Sequence, residues 1–246
     1  MDRLLYVAMT GGKQLMQAQT VVANNLANVS TQGFRGDLAR FDQVPVEGFG
    51  YESRVNVTTE GLGFDHRPGA MVHTGNTLDV AVSGDGWIAV QAPDGTEAYT
   101  RDGSLRLTAL GLLETVRGEL VLGGNGPVSI PPHSQLMVGN DGTISVIPQG
   151  QGPETLAQVG RIKLVNPDRD SLIKRADGLV ATIDGQSAPA DAEVHLLSGF
   201  VESSNVNAAQ SLVQMIELSR QFEIEVRMMQ IADENETRAA SLAQIS

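Results

Sequence analysis

Near the start of the chain Leu4, Ala8, Leu15, Ala18, Val22 and Val29 recur at helical spacing, with Gly11 and Asn25 completing an alternation of four and three. Leu5, Gly12 and Leu26 flank this stripe. Spacing of this kind puts the apolar side chains on one face of a helix, close to a heptad seam. Asp2 stands where an N-cap carboxylate would meet the orphan N–H groups. Gly11-Gly12 is the weak point, at roughly 1 kcal/mol per Gly against Ala. It marks either a kink or a place where a neighbouring helix approaches closely. A second stripe runs through Ala208, Leu212, Met215, Ser219, Phe222, Val226 and Met229, widened by Val213, Ile216 and Ile231. Asn207 and Gln210 have capping-box spacing, with Asn in place of Ser or Thr. Neither helix can bury its stripe against itself, and an isolated helix is marginal in water. The two ends are therefore expected to pair.

Between them the period changes to two. Leu78–Val82, Trp87–Gln91, Ala98–Arg101 and Leu105–Thr108 alternate, and Asp85-Gly86, Asp94-Gly95 and Asp102-Gly103 punctuate them. Turn signals at this spacing predict antiparallel hairpins. Strands are expected again at 112–116, 120–122, 128–130, 135–138, 144–147, 161–165 and 179–183, with further turns at Asp141-Gly142, Asp177-Gly178 and Asp184-Gly185. Trp87 reads as a core residue of this body. Residues 36–65 read as a connector: Asp37–Phe41 as a further helical turn, Pro45 as its stop, and Arg54–Thr59 as one strand of a hairpin. The expected fold is α+β, with N- and C-terminal helices pairing as a coiled coil around an inserted, mainly antiparallel all-β domain. The expected divisions are 1–35, a helical arm; 36–65, the connector; 66–200, the β-rich body; and 201–246, the second arm.

Composition narrows the function. The net charge of −12 over 246 residues argues against a nucleic-acid partner, which would need a basic face. The first arm is net basic and the second net acidic, which favours their pairing, although exposed ion pairs contribute only about 0–1 kcal/mol each. The chain has no cysteine, hence no disulfide framework and no thiolate chemistry. No apolar run approaches the ~20 residues that span a bilayer. The N-terminus has no cleavable signal pattern, so any export is expected to proceed without one.

Candidate chemistry is sparse. His66, His73, His133 and His195 show no metal-site spacing. There is neither a nucleophile elbow nor a P-loop. Gly84-Asp85-Gly86 and Gly123-Gly124-Asn125-Gly126 read as turns. Carboxylates are many, but nothing selects a glycosidase-like pair. No catalytic, cofactor-binding or metal residue is assigned, and the chain is not expected to be an enzyme or to take a small-molecule substrate.

The run from Asn24 through Asn25, Leu26, Ala27, Asn28, Val29, Ser30, Thr31, Gln32, Gly33 and Phe34 to Arg35 resembles the N-terminal signature of the flagellar basal-body rod and hook family. Gly33 is read as supplying the helix C′ conformation. The stretch Thr74–Gln91, with Leu78-Asp79 and Gly84-Asp85-Gly86, and the following Tyr99-Thr100-Arg101-Asp102-Gly103 are similar to the family's next block. Ala109-Leu110-Gly111 departs from it, standing where relatives have an acidic turn. Ser203-Ser204-Asn205-Val206-Asn207 and Arg220-Gln221-Phe222-Glu223 look like the C-terminal motif, the latter in the version of the proximal rod. The resemblance implies a structural rod component that polymerises with itself and with other proximal and distal rod proteins into the drive shaft and export channel. It also implies delivery by the flagellar type III export apparatus and a place in the basal-body rod, in the periplasm. The assembly interface would comprise Leu4, Ala8, Leu15, Ala18 and Val22 with Asn205, Asn207, Leu212, Met215, Phe222, Val226 and Met229. The alternatives are a distal rod protein or, in another class, an extracytoplasmic carbohydrate-binding or hydrolytic β protein.

Overall fold

The computed structural model describes residues 3–39, 41–45, 55–59, 63–150 and 155–243. The chain is α+β and divides into two units. One contains both terminal helices and residues 37–63; the other contains residues 30–36 and 64–205. Asp2 and Arg54, expected to act as a cap and to start a strand, lie outside the described residues.

In the helical unit α1 spans Arg3–Ala27 and α2 spans Ala208–Ala243. They pack antiparallel: Gly11 faces Glu225, Gly12 faces Phe222, and the end of α1 from Ala18 to Asn25 meets Gln214–Gln221. Ala8, Gly12, Gln14 and Ala18 are buried, so small residues form the closest part of the seam. Of the two readings of Gly11-Gly12, close approach of a neighbouring helix is the one observed. A Cβ at Gly11 would lie 3.3 Å from the Glu225 carboxylate.

On α2 the seam runs through Ser211, Met215, Leu218, Phe222, Glu225, Met229 and Ala232, again at alternating four and three. The first turn forms as its capping signal predicts. Asn207 Oδ1 accepts from Gln210 N at 3.2 Å, satisfying one orphan donor.

Residues 37–41 correct the expected helical turn: Asp37–Leu38 and Phe41–Pro45 are extended. The cause is local. Asn25 Nδ2 donates to Asp37 O at 2.8 Å, and Asp37 N donates to Asn25 Oδ1 at 2.7 Å, so one amide pairs the Asp37 backbone as a neighbouring strand would. Phe41–Pro45 then pairs antiparallel with Val55–Thr59, in agreement with a connector hairpin.

The β unit is built on an antiparallel sheet. Its main path runs in the order Leu172–Lys174, Val180–Thr182, Glu97–Thr100, Trp87–Gln91, Leu120–Gly123, Leu113–Thr115 and Leu105–Leu107. Trp87–Val90 is buried on both faces. Ile88 and Val90 enter one apolar cluster with Val80, Val121 and Ile144, while Trp87 and Ala89 enter another with Phe64, Tyr99 and Val165. A strand covered on both sides reads as a continuous apolar run, as this one does. His133–Val138, Thr143–Pro148 and Ala157–Arg161 form a separate three-stranded meander.

Most Asp-Gly turns form as expected. The carboxylates of Asp94, Asp141 and Asp177 each accept from the backbone N–H two residues on, at 3.0 to 3.1 Å. Asp102 makes the same bond, accepting from Ser104 N at 3.1 Å, but its glycine differs. Gly103 has no left-handed φ, and a Cβ there would lie 1.5 Å from Val80 O. It is a point of close approach, where Gly103 O accepts from Val80 N at 2.9 Å.

The second arm starts later than expected. Phe200–Glu202 is a strand paired with Met71–His73, and His195–Ser198 pairs with Val80–Ser83. The chain therefore leaves the β unit alongside the strands by which it entered. A buried ion pair holds Glu202 in this strand.

Candidate functional site

The most buried charges of the described residues gather where the signature segment 31–35 lies in the β unit. Glu202 is the centre. Its Oε1 lies 2.8 Å from Arg35 Nη2, and its Oε2 accepts from Arg101 Nη1 at 3.0 Å. The three side chains are 1, 2 and 3 % exposed. The Arg35 pair is ionic by distance without hydrogen-bond alignment, since Nη2 has no hydrogen-bond partner. Oε1 also accepts from Gly69 N at 2.8 Å. Arg101 Nη2 donates to Gly84 O at 2.7 Å, and Arg35 Nη1 donates to Arg67 O. Both guanidiniums lie over Trp87, 5.9 and 5.4 Å from a ring centroid. Burial pushes Arg35 down to about 10 against the opposing pull of Glu202, and burial lowers Arg101 as well.

The backbone of the segment is fixed in the same place. Gly33 N donates to Glu202 O at 2.8 Å, and Gly33 adopts φ +65°. A Cβ there would lie 2.2 Å from Arg101 C. Gly33 is thus not the C′ residue of α1, which ends at Ala27. It is a left-handed residue required by the approach to Arg101-Asp102. Lys174 Nζ caps the segment, donating to Arg35 O at 2.8 Å and sitting 3.9 Å above the Phe34 ring.

Asn205 completes the arrangement. Its Oδ1 accepts from Gly36 N at 2.8 Å, and its Nδ2 donates to Asp65 O at 3.1 Å and Arg67 O at 2.9 Å. Its own N–H donates to Phe34 O at 3.2 Å. One residue therefore joins separate backbone stretches. Replacing Asn205 by Ala is expected to cost about 1–3 kcal/mol, because it strands backbone groups that are partly withdrawn from water. Urea unfolding should show a lower midpoint at unchanged m.

The structure divides the residues singled out from the sequence. Thr31, Gly33, Phe34, Arg35 and Asn205 come together in the β unit. Asn24, Asn25, Leu26, Ala27 and Asn28 belong to the helical unit, where Asn28 Nδ2 donates to Asn24 O at 2.9 Å. Ala8 and Ala18 are buried; Leu15, Val22, Met215, Phe222, Val226 and Met229 are half-buried; Leu212 is exposed, with Ser211 buried beside it. Asn207 caps α2. The Leu4 side chain is not among those described. Glu202 and Arg101 were missed as functional residues. The one signal available was position: Arg101 lies inside the Tyr99–Gly103 motif, and Glu202 immediately precedes the Ser203–Asn207 motif.

This geometry ties distant stretches of the one chain together, buried charge to buried charge, and is structural in kind. Three family profiles match: "Flagella basal body rod protein" over residues 5–35, "Flagellar hook protein FlgE/F/G D1 domain" over 81–146, and "Flagellar basal body rod FlgEFG protein C-terminal" over 197–242. The chain is 39% identical to the flagellar basal-body rod protein FlgF of Salmonella typhimurium and 39% identical to that of Escherichia coli, over the full length of every chain compared. It is 34% identical to the flagellar basal-body rod protein FlgG of Buchnera aphidicola subsp. Schizaphis graminum, over 94% of this chain and 95% of that one. The chain belongs to the flagellar basal-body rod protein family, and is a structural component of the basal-body rod.

Proposed function

We propose that the chain is a proximal-rod subunit that polymerises with itself and with the other proximal and distal rod proteins around the export channel. The helical unit, its helices paired as a coiled coil, lines that channel, and the β unit faces outward. The subunit reaches the rod unfolded, through the flagellar type III export apparatus, and works in the periplasm without enzymatic activity or a small-molecule substrate. The run Arg220-Gln221-Phe222-Glu223, in the version that resembles the proximal rod, supports the proximal over the distal position.

The observation that carries this reading is a second apolar face on α2. Val213, Ile216, Ile224 and Ile231 recur at helical spacing on the side away from the α1 seam, and each is at least half exposed. Tyr6, Met9 and Met16 form a similar exposed row on α1. An exposed apolar row of this length marks an interaction surface. Head-to-tail subunits that bury it generate a helical tube without closure. Replacing Ile216 and Ile224 together by Asp tests the assignment. The purified variant is expected to unfold within about 0.5 kcal/mol of the parent per substitution, since surface changes cost little. It should nevertheless be absent from isolated basal bodies, and its cells non-motile. Normal incorporation would contradict the reading.

A further inference from the structure

The described residues offer no hydrogen-bond partner to Arg35 Nε or Arg101 Nε, although both side chains are more than nine-tenths buried. Buried donors are almost always satisfied, and an unsatisfied one calls for a physical reason. Both arginines line the same small cavity of about 20 Å³ beneath the signature segment. That volume is enough for a small occupant the size of a water or a monatomic ion. Four cationic side chains line it, Arg35, Arg101, Arg117 and Lys174, and among the described residues no carboxylate does.

The surrounding charges do not cancel this. Glu202 is shared between Arg35 and Arg101, so that buried cluster carries one excess positive charge. Asp85 acts on both arginines but is 63 % exposed and bonded to Arg169 at 2.9 Å. Asp65 acts on Arg35 while held by Arg67 at 2.6 Å. Arg117 has Glu119 at 3.6 Å and Asp102 at 4.0 Å, and Lys174 donates to Arg35 O at 2.8 Å, so the excess charge is that of Arg35 and Arg101 against Glu202 alone. The Tyr99 hydroxyl, on the same wall, accepts from Ala188 N at 2.7 Å. A neutral water would satisfy two N–H donors and leave the excess charge uncompensated in an apolar setting. A monatomic anion does both. Trp87, which also lines the cavity, suits a weakly hydrated ion.

We propose that this cavity binds a single halide ion, chloride under physiological conditions, which neutralises the Arg35–Arg101 pair and holds the signature segment on the β unit. The test uses the unmodified full chain. Crystals soaked in sodium bromide, measured at the bromine absorption edge, are expected to show one anomalous peak between the two guanidiniums. In parallel, exchanging sodium gluconate for sodium chloride at constant ionic strength should raise the melting temperature by about 2–4 °C and saturate with concentration. Density in the cavity without anomalous signal, which is a water, overturns the proposal. So does a melting temperature that is the same in both salts.

Discussion

Replacing Glu202 by Gln is expected to lower the melting temperature of the β unit by on the order of 10 °C. The substitution keeps the shape, but its one carbonyl can stand in only for Oε1, which accepts from Gly69 N, or for Oε2, which accepts from Arg101 Nη1, and the amide NH2 meets the other donor. What it removes is the one buried negative charge that two guanidiniums share. A buried ion pair contributes little beyond an apolar pair of equal volume, because desolvation offsets attraction. Removing a single partner is different, since the remaining charge keeps its desolvation penalty and loses its compensation, at about 3–5 kcal/mol. Here two arginines would be left, so the upper part of that range applies. Calorimetry of the Gln variant beside the parent reads the shift directly. A shift within about 2 °C, the scale of an exposed pair, would mean that water reaches the cluster and that Glu202 is not its keystone.

The second large effect is expected at Gly33. A Val there meets two separate obstacles. Its φ of +65° costs a non-glycine residue roughly 1–2 kcal/mol, and a β-branched one more. Its Cβ would also fall 2.2 Å from Arg101 C and 2.3 Å from Asp102 N. Backbone atoms cannot rotate out of the way as a side-chain tip can, so the clash costs more than the strained φ. Gly118 separates the two effects: it has φ +96° and open space around the missing Cβ. Gly118→Ala should cost about 1 kcal/mol, whereas Gly33→Val should exceed about 4 kcal/mol. Hydrogen exchange is the suitable probe. In Gly33→Val, residues 30–36 should lose protection together, because Gly33 N can no longer reach Glu202 O and Arg35 is withdrawn from its partner. Protection unchanged at Gly33 and Arg35 would refute the close packing.

The pattern of the chain was informative wherever structure follows from neighbours in sequence. The Asp-Gly turns are local chemistry, an aspartate bonding two residues on, and they marked the hairpins correctly. Asn207 announced the start of α2 because a cap acts within one turn. Trp87–Gln91 was correctly read as a strand but grouped with the alternating ones, although Trp87–Val90 is buried on both faces. Contacts between distant residues were not legible. Arg101 and Glu202 lie 101 residues apart in the chain, and each looked like an ordinary charge beside a turn or at the edge of a helical arm. Asp102-Gly103 and Gly33 misled for the same reason. Glycine signals that something needs room or an unusual φ, and only the fold reveals whether that is a turn or another backbone. Asn25 and Asn205 show a related limit. Asn25 was read as part of the helical stripe and Asn205 as part of the assembly interface, yet their amides pair with backbone 12 and 169 residues away.

The central claim, that neighbouring rod subunits cover the outer face of α2, can be tested in the assembled organelle. The chain contains no cysteine, so one introduced thiol reports from one place. Ile216→Cys keeps the face apolar, and Asn125→Cys in the glycine-rich turn of the β unit serves as the comparison. Basal bodies isolated from cells carrying each variant would be treated with a short thiol-to-amine cross-linker and their adducts identified by mass spectrometry. The account predicts that Ile216→Cys joins this chain to a second copy or to another axial rod protein, in higher yield than Asn125→Cys. An Ile216→Cys chain that is present in the basal body and forms no such adduct would contradict it.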